Sequence, residues 1–295
     1  MRRILCSTGA LIGRPNGRDH RLLEGFAKKL NCDGFEFMIY NTWYPELDKV
    51  IDDVSAMQLD IPVVHCEKGI GEYFTAGSFE EGKKFFKLNC QSASKLGADM
   101  LVLHLWNGIP SDSHIERNIS IFGELCDIAN SMGLLLTAEN VVCNVGDPIE
   151  HLRSLLPCGF FTFDTKMAAF HGQLMELYEP KNLSILKNVR HFHINDYGGG
   201  YMDWKNLRTL HIGDGNVDLS GFFDNIPEDY SGDFTIESTG FDQSGSVDTE
   251  RLNADISAVK ELSKKISKKN IIFFEKPLDK SAEMWYNIIR RRENS

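Results

Sequence analysis

Eight short apolar runs, each followed by a longer amphipathic or polar stretch, constrain this chain more than any other feature. They fall at 3–7, 34–37, 62–65, 100–104, 134–139, 160–164, 191–194 and 233–237. Successive starts lie about 26 to 42 residues apart, room for a right-handed crossover helix and its loops in every interval. Two of those helices read directly. Over 80–96, Phe85, Leu88, Ala93 and Leu96 approximate one face and Gly97 stands where a helix-ending glycine is favoured; 116–132 ends the same way at Gly133.

Such a rhythm of parallel β/α units admits two architectures. A doubly wound open sheet normally carries a glycine-rich first turn, and CSTGALIGRPNG is not G-x-G-x-x-G. No Pro/Ser-rich linker, low-complexity tract or charge block divides the 295 residues. The expectation is therefore one (β/α)8 TIM barrel spanning 1–295, a fold typically built from about 250 residues. The remainder, about 267–295, contains NIIFFEKP and KSAEMWYNIIRRRENS and is expected to be a C-terminal helical extension covering the barrel or a neighbouring subunit. A homo-oligomer is thus left open.

Charge and cysteines exclude several functions. With 42 acidic against 32 basic residues the net charge is −10, which offers no general attraction for nucleic acid or anionic membranes. Seven cysteines stand singly with no C-x-x-C pair, giving neither a zinc knuckle nor a disulfide scaffold; Cys66 and Cys143 near strand ends have no partner signature. The opening MRRILCSTGALIG is too short and polar for a signal peptide and reads as the first strand, and no run of about 18 apolar residues exists. A soluble protein of the reducing cytoplasm is expected.

Polar and ionisable residues close nearly every run: His65 with Glu67, His104, Glu139, Asp164, His193 with Asp196, and Glu237. In a closed barrel the carboxyl ends of the strands share one face, so these groups converge. Singly each has a bland reading: Glu139 can cap a helix, His193 can be a satisfied core histidine, Asp164 can begin a turn. Together they are harder to dismiss, because unpaired buried charges cost several kcal/mol each and a cation removes that cost. Mixed carboxylate and imidazole donors suit one divalent ion, Mn2+ or Zn2+ first, with Co2+ or Mg2+ possible.

The ordered motifs TAEN at Glu139, FTFD at Asp164, HFHIND, IGDGNVD and FTIES at Glu237, with LCSTGAL, DGFEF, VVHCEKG and LVLHLW before them, resemble the xylose-isomerase-like barrel superfamily of sugar isomerases, epimerases and apurinic-site endonucleases, and among these the sugar phosphate isomerase/epimerase type. The resemblance covers nearly the whole chain. It implies that Glu139, Asp164, His193 and Glu237 form the metal shell and that Glu139 and Glu237 also serve as catalytic acid and base. His65 and His104 match positions that are metal ligands in the multi-zinc endonucleases and substrate contacts in the single-metal isomerases. The sequence departs from the endonuclease pattern: Met167 stands where a histidine is expected, with His171 a turn late, and Leu207 and Thr209 replace an Asp-x-His, with His211 displaced. These departures favour one metal and a small sugar or sugar derivative over damaged DNA.

The expected reaction is isomerisation or epimerisation by proton removal beside a carbonyl, giving an enediolate, with Glu139 and Glu237 addressing opposite faces of the substrate. A dehydratase of a cyclitol or keto-acid shares that first step and stands as the alternative; a zinc phosphodiester endonuclease and a non-catalytic sugar-binding protein rank below it. Trp106, ahead of Trp43 and Phe163, is the expected apolar wall of the substrate pocket. Lys166 and Arg208 are weaker candidates for an anionic group. Asp196, three residues after His193, is the candidate partner of its free ring nitrogen.

Overall fold

The structure, a computed structural model, describes residues 2–266 apart from 110 and 157. Eight parallel strands close on themselves in sequence order, β1 to β8. They are β1 (Ile4–Ser7), β2 (Gly34–Met38), β3 (Val63–His65), β4 (Met100–Leu103), β5 (Leu135–Glu139), β6 (Phe160–Asp164), β7 (Val189–Ile194) and β8 (Asp233–Ile236), and β1 pairs with β8 to seal the cylinder. This is the (β/α)8 TIM barrel. The proposed C-terminal helix at 267–295 lies outside the described residues. Among the described residues no helix is long and apolar enough to cross a membrane.

Strand bounds differ from the sequence reading where side-chain pattern and backbone pairing part company. His104 and Glu237 stand one residue beyond β4 and β8, and β7 begins two residues early at Val189. There the β6–β7 register slips, Phe161 pairing with Val189 but Thr162 with His191. Arg190, the skipped residue, lays its guanidinium over the Phe160 ring at 4.4 Å.

The main core is the layer between strands and helices, where Phe37, Phe161, Phe163, Phe192, Phe234, Phe222 and Phe223 are wholly buried. Inside the cylinder a separate small plug of Leu5, Val63 and Val102 fills the amino-terminal end. Above it the interior turns polar: Thr137 and Thr162 hydroxyls meet at 2.7 Å, and Glu36 on β2 touches His191 and His193 on β7. Strands β2 and β7 are not neighbours, so those contacts cross the barrel itself.

The helix Phe79–Lys95 carries Glu80 and Glu81 in its first turn, where acidic groups suit the helix dipole. It ends before Gly97, whose φ of +76° is cheap only for glycine. Its buried face is Phe86, Cys90 and Ala93, with Phe85, Leu88 and Leu96 at the margin, because the helix wedges between neighbours on both sides. The helix Ile115–Ser131 stops before Gly133 in the same manner.

Candidate metal centre at the carboxyl face

Glu139 closes β5, Asp164 closes β6, His193 is the penultimate residue of β7, and Glu237 follows β8. All eight strands run parallel, so their carboxyl ends bring these four side chains to one end of the barrel. One ligand atom from each lies within 4.8 Å of the others. The cluster is buried except that Glu237 is partly accessible from the mouth.

The orientation of each group follows from its partners. His193 turns Nδ1 into the cluster, 3.2 Å from Glu139 Oε1 and 3.7 Å from Glu237 Oε2, while Nε2 points down the barrel to Glu36 Oε2 at 3.0 Å. Glu36 Oε2 also lies 2.9 Å from His191 Nε2, which is 2.8 Å from the Thr235 hydroxyl. Asp164 is fixed from two sides. Its Oδ1 accepts the Met167 N–H at 2.7 Å, capping the helix Thr165–Phe170, and Oδ2 accepts from the Asn195 amide at 2.8 Å. Asn140 exchanges two hydrogen bonds with the Asp164 backbone. The second Glu139 oxygen, Oε2, faces His65 Nε2 at 3.3 Å and His104 Nε2 at 2.8 Å, the latter out of line for a hydrogen bond. His65, His104 and Glu139 thus make a second close group that shares Glu139 with the first.

Electrostatics separate the carboxylates. Burial alone would raise Glu139 and Glu36, but His104 and His193 hold Glu139, and His193 and His191 hold Glu36, well below the usual carboxylate range. Burial likewise opposes the charge on His193, yet Glu36, Glu237 and Glu139 keep its pKa well above the ordinary value. Asp164 is pushed up to about 6 by burial, with Glu139 and Glu237 adding like-charge repulsion that Lys166 only partly offsets. Burial lowers His104, leaving a neutral imidazole able to donate a lone pair.

These residues fit a divalent cation. Three carboxylates and one imidazole nitrogen converge, their mutual repulsion is visible at Asp164, and Glu237 Oε1 is buried with no hydrogen-bond partner. An orphaned buried acceptor beside two other carboxylates asks for positive charge.

Other residues singled out in the sequence sit elsewhere. Asp196 is not the partner of His193. Its carboxylate accepts the N–H groups of Tyr197, Gly213, Gly215 and Val217 at 2.8 to 3.1 Å, so it holds the IGDGNVD loop in shape, and Glu36 takes the role assigned to it. Trp106 is no pocket wall: it is wholly buried, its indole N–H donates to the Val141 carbonyl at 2.6 Å, and its ring meets His151 edge-on. The strand alternation that pointed it inward stops at Leu103. Phe163 stacks on Phe222 outside the barrel, and Trp43 stacks on Phe37. Lys166 donates to the Thr209 hydroxyl at 2.9 Å, and Arg208 is exposed in a loop. His171 accepts the Cys143 N–H and is driven down to about 4 by burial, while His211 pairs with Asp255 at 2.6 Å; neither belongs to the cluster.

Glu36, His191, Asn140 and Asn195 are the functional groups that the sequence reading missed. A signal existed for each: a carboxylate in the middle of the strand GFEF, two histidines at i and i+2 in HFHI, and asparagines directly after Glu139 in TAEN and within HIND.

The Xylose isomerase-like TIM barrel family model matches residues 25–262. A search of curated protein sequences finds no match. Among solved structures the chain is similar to a D-tagatose 3-epimerase-like protein, with TM-score 0.68, 19% identity, and 90% of this chain and 98% of that chain covered. It is also similar to a D-allulose 3-epimerase from Methylomonas sp. in complex with D-allulose (TM-score 0.64, 15% identity, 90% and 97% covered). A third likeness is the IOLI protein with a binding zinc atom (TM-score 0.63, 16% identity, 90% and 100% covered). At these identities the likeness is one of fold, and with the family model matching most of its length, the chain belongs to the xylose isomerase-like TIM-barrel family.

Proposed function

We propose that this protein is a divalent-metal-dependent sugar isomerase or epimerase that removes a proton beside a carbonyl. The observation that carries the reading is the convergence of Glu139, Asp164, His193 and Glu237 within 4.8 Å at the carboxyl face, with one glutamate oxygen buried and unpartnered. The likeness to sugar 3-epimerases, one with D-allulose bound, and to a protein with a bound zinc atom supports the substrate class and the metal.

These four side chains would hold the ion, Mn2+ or Zn2+ by donor type. When bound it supplies a Lewis acid for the carbonyl and the adjacent hydroxyl of a sugar. Glu237, partly accessible from the mouth and with its buried Oε1 unpartnered, is the base that faces the substrate carbon. Glu139 is locked by His193 and flanked by His65 and His104, so it exchanges its proton with a fixed set of imidazoles. Neutral His104, with Nε2 2.8 Å from Glu139 Oε2, would take up the proton that Glu139 receives before passing it to a substrate oxygen. The resulting enediolate can be reprotonated on the opposite face of the same carbon, giving epimerisation, or on its neighbour, giving isomerisation.

Loaded with Mn2+ and incubated in deuterated water with D-allulose, D-tagatose and D-fructose, the protein is expected to place deuterium on a carbon next to the carbonyl of at least one sugar. Proton and mass spectra of the recovered sugars report it. Failure of exchange with all three, and with a panel of other ketoses and keto-acids, while metal is bound would sink the reading. Loss of water in place of exchange would transfer it to the dehydratase alternative.

A further inference from the structure

His104 is held on its far side by two side chains that the chemistry at Glu139 does not otherwise use. Its Nδ1 lies 3.1 Å from Asn107 Oδ1, and Asn107 Nδ2 donates to Glu72 Oε1 at 3.2 Å. The contacts run from a buried imidazole to an exposed carboxylate. Each link has one polarity. A carboxylate only accepts, so the Asn107 amide turns its NH2 to Glu72 and its oxygen to His104; that oxygen also only accepts, so the His104 hydrogen sits on Nδ1. The reversed amide would set two acceptor oxygens 3.2 Å apart. Nε2 is thereby left with its lone pair, 2.8 Å from Glu139 Oε2, buried and without a hydrogen-bond partner.

The backbone carrying these links is closely fitted. Glu72 lies in the helix Ile70–Thr75, whose Gly71 packs directly on the loop after β4: a Cβ there would stand 2.7 Å from the His104 carbonyl oxygen and 2.5 Å from that of Leu105. The buried Asn118 amide clamps the same seam, donating to the carbonyls of Gly71 at 2.8 Å and Leu105 at 2.5 Å. Asn107 is held through its own backbone, its N–H donating to the Ser111 hydroxyl, which donates to the Gly108 carbonyl at 2.9 Å. His65 differs: its Nδ1–H goes to the Cys66 carbonyl at 2.7 Å, an acceptor that no side chain supplies. Of the two imidazoles facing Glu139 Oε2, His104 is the one whose tautomer is set by side chains.

We propose that Asn107 and Glu72 are positioning residues that fix His104 in the Nδ1–H tautomer, so that Nε2 faces Glu139 as the nitrogen able to take up a proton. The inference rests on the isomerase reading for what that proton then does. As the proton passes from Glu139 to Nε2, positive charge develops on the ring and strengthens the Nδ1–H bond to Asn107; as it leaves for the substrate oxygen, the neutral Nδ1–H form returns. Asn107 and Glu72 keep their own protonation throughout.

Two readouts on the full chain test this. Long-range proton–nitrogen NMR spectra of the Mg2+-loaded protein, with the His104 signals assigned by their loss in His104→Gln, report which ring nitrogen carries hydrogen. Turnover of the Mn2+-loaded protein, on a sugar that takes up solvent deuterium, reports the catalytic consequence. The parent chain should carry the His104 hydrogen on Nδ1. Asn107→Leu should lose that signature and lower kcat about tenfold to a hundredfold, with KM changed by less than about threefold. Glu72→Ala, at an exposed position, should lower kcat about threefold to tenfold with Tm unchanged, so the test stands even if Asn107→Leu fails to fold. The double variant Asn107→Asp/Glu72→Gln exchanges carboxylate and amide but keeps an acceptor toward Nδ1, and should recover kcat to within about threefold of the parent. Hydrogen on Nε2 in the parent chain, undiminished kcat in folded Asn107→Leu or in Glu72→Ala, or a folded double variant no better than Asn107→Leu overturns the proposal. Failure of the isomerase reading looks different: the Nδ1 signature is present and depends on Asn107, but no solvent deuterium enters any sugar.

Discussion

Glu237→Gln should lower turnover by at least about a hundredfold, the usual contribution of a general base, while metal occupancy falls only partly. Glutamine keeps an oxygen donor and the volume but has no basic carboxylate to accept a carbon-bound proton. Glu139→Gln should cost at least as much for a different reason. Its new amide N–H2 must face either His193 on one side or His65 and His104 on the other, so the imidazole contacts are lost along with the charge. Because epimerisation takes a proton from one face and returns it to the other, one variant is expected to retain washout of label on its intact face without forming product. Turnover measured beside metal analysis of the same samples separates these outcomes. If both variants held metal and turned over normally, the glutamates would be ligands alone and neither would be the base.

A second large effect is expected at Glu36, deep in the barrel. This carboxylate is wholly buried and its Oε2 faces His191 and His193 together. Glu36→Leu leaves His193 Nε2 without its acceptor and His191 with the Thr235 hydroxyl alone, and breaking a buried charged pair costs about 3–5 kcal/mol. For a domain of this size that corresponds to a fall in Tm of about 6–20 °C. Metal affinity should also drop about tenfold to a hundredfold, because Nε2 of His193 loses the acceptor that keeps Nδ1 turned toward Glu139 and Glu237. Glu36→Gln retains one acceptor oxygen and should lose less on both counts. A Leu variant with unchanged melting and unchanged metal affinity would show that His193 is oriented by packing instead.

How far the sequence discloses this site depends on which physical signal each residue leaves. The eight strands were legible because parallel strands buried on both faces appear as short apolar runs, and the polar residues closing them marked one end of the barrel. The same double burial hid Glu36 and His191. Where both faces of a strand are covered, alternation no longer says which one looks into the cylinder, and a mid-strand carboxylate has no terminal position to flag it. Asp196 misled through proximity: three residues from His193 along the chain, it lies past the strand, where the chain turns to meet the N–H groups of Gly213, Gly215 and Val217. Backbone donors carry no sequence letter, so that role was illegible. Trp106 misled because strand alternation was extended past Leu103, where the backbone leaves the sheet.

The central claim is that Glu139, Asp164, His193 and Glu237 make one divalent-metal site, and the most direct measurement is titration of the metal-free full chain with Mn2+, read by calorimetry and electron paramagnetic resonance. The account predicts one tightly bound ion per chain, a rise in Tm on loading, and a loss of at least about a hundredfold in affinity in Asp164→Ala or His193→Ala. Absence of stoichiometric binding, or an ion held with unchanged affinity after either ligand is removed, would contradict it.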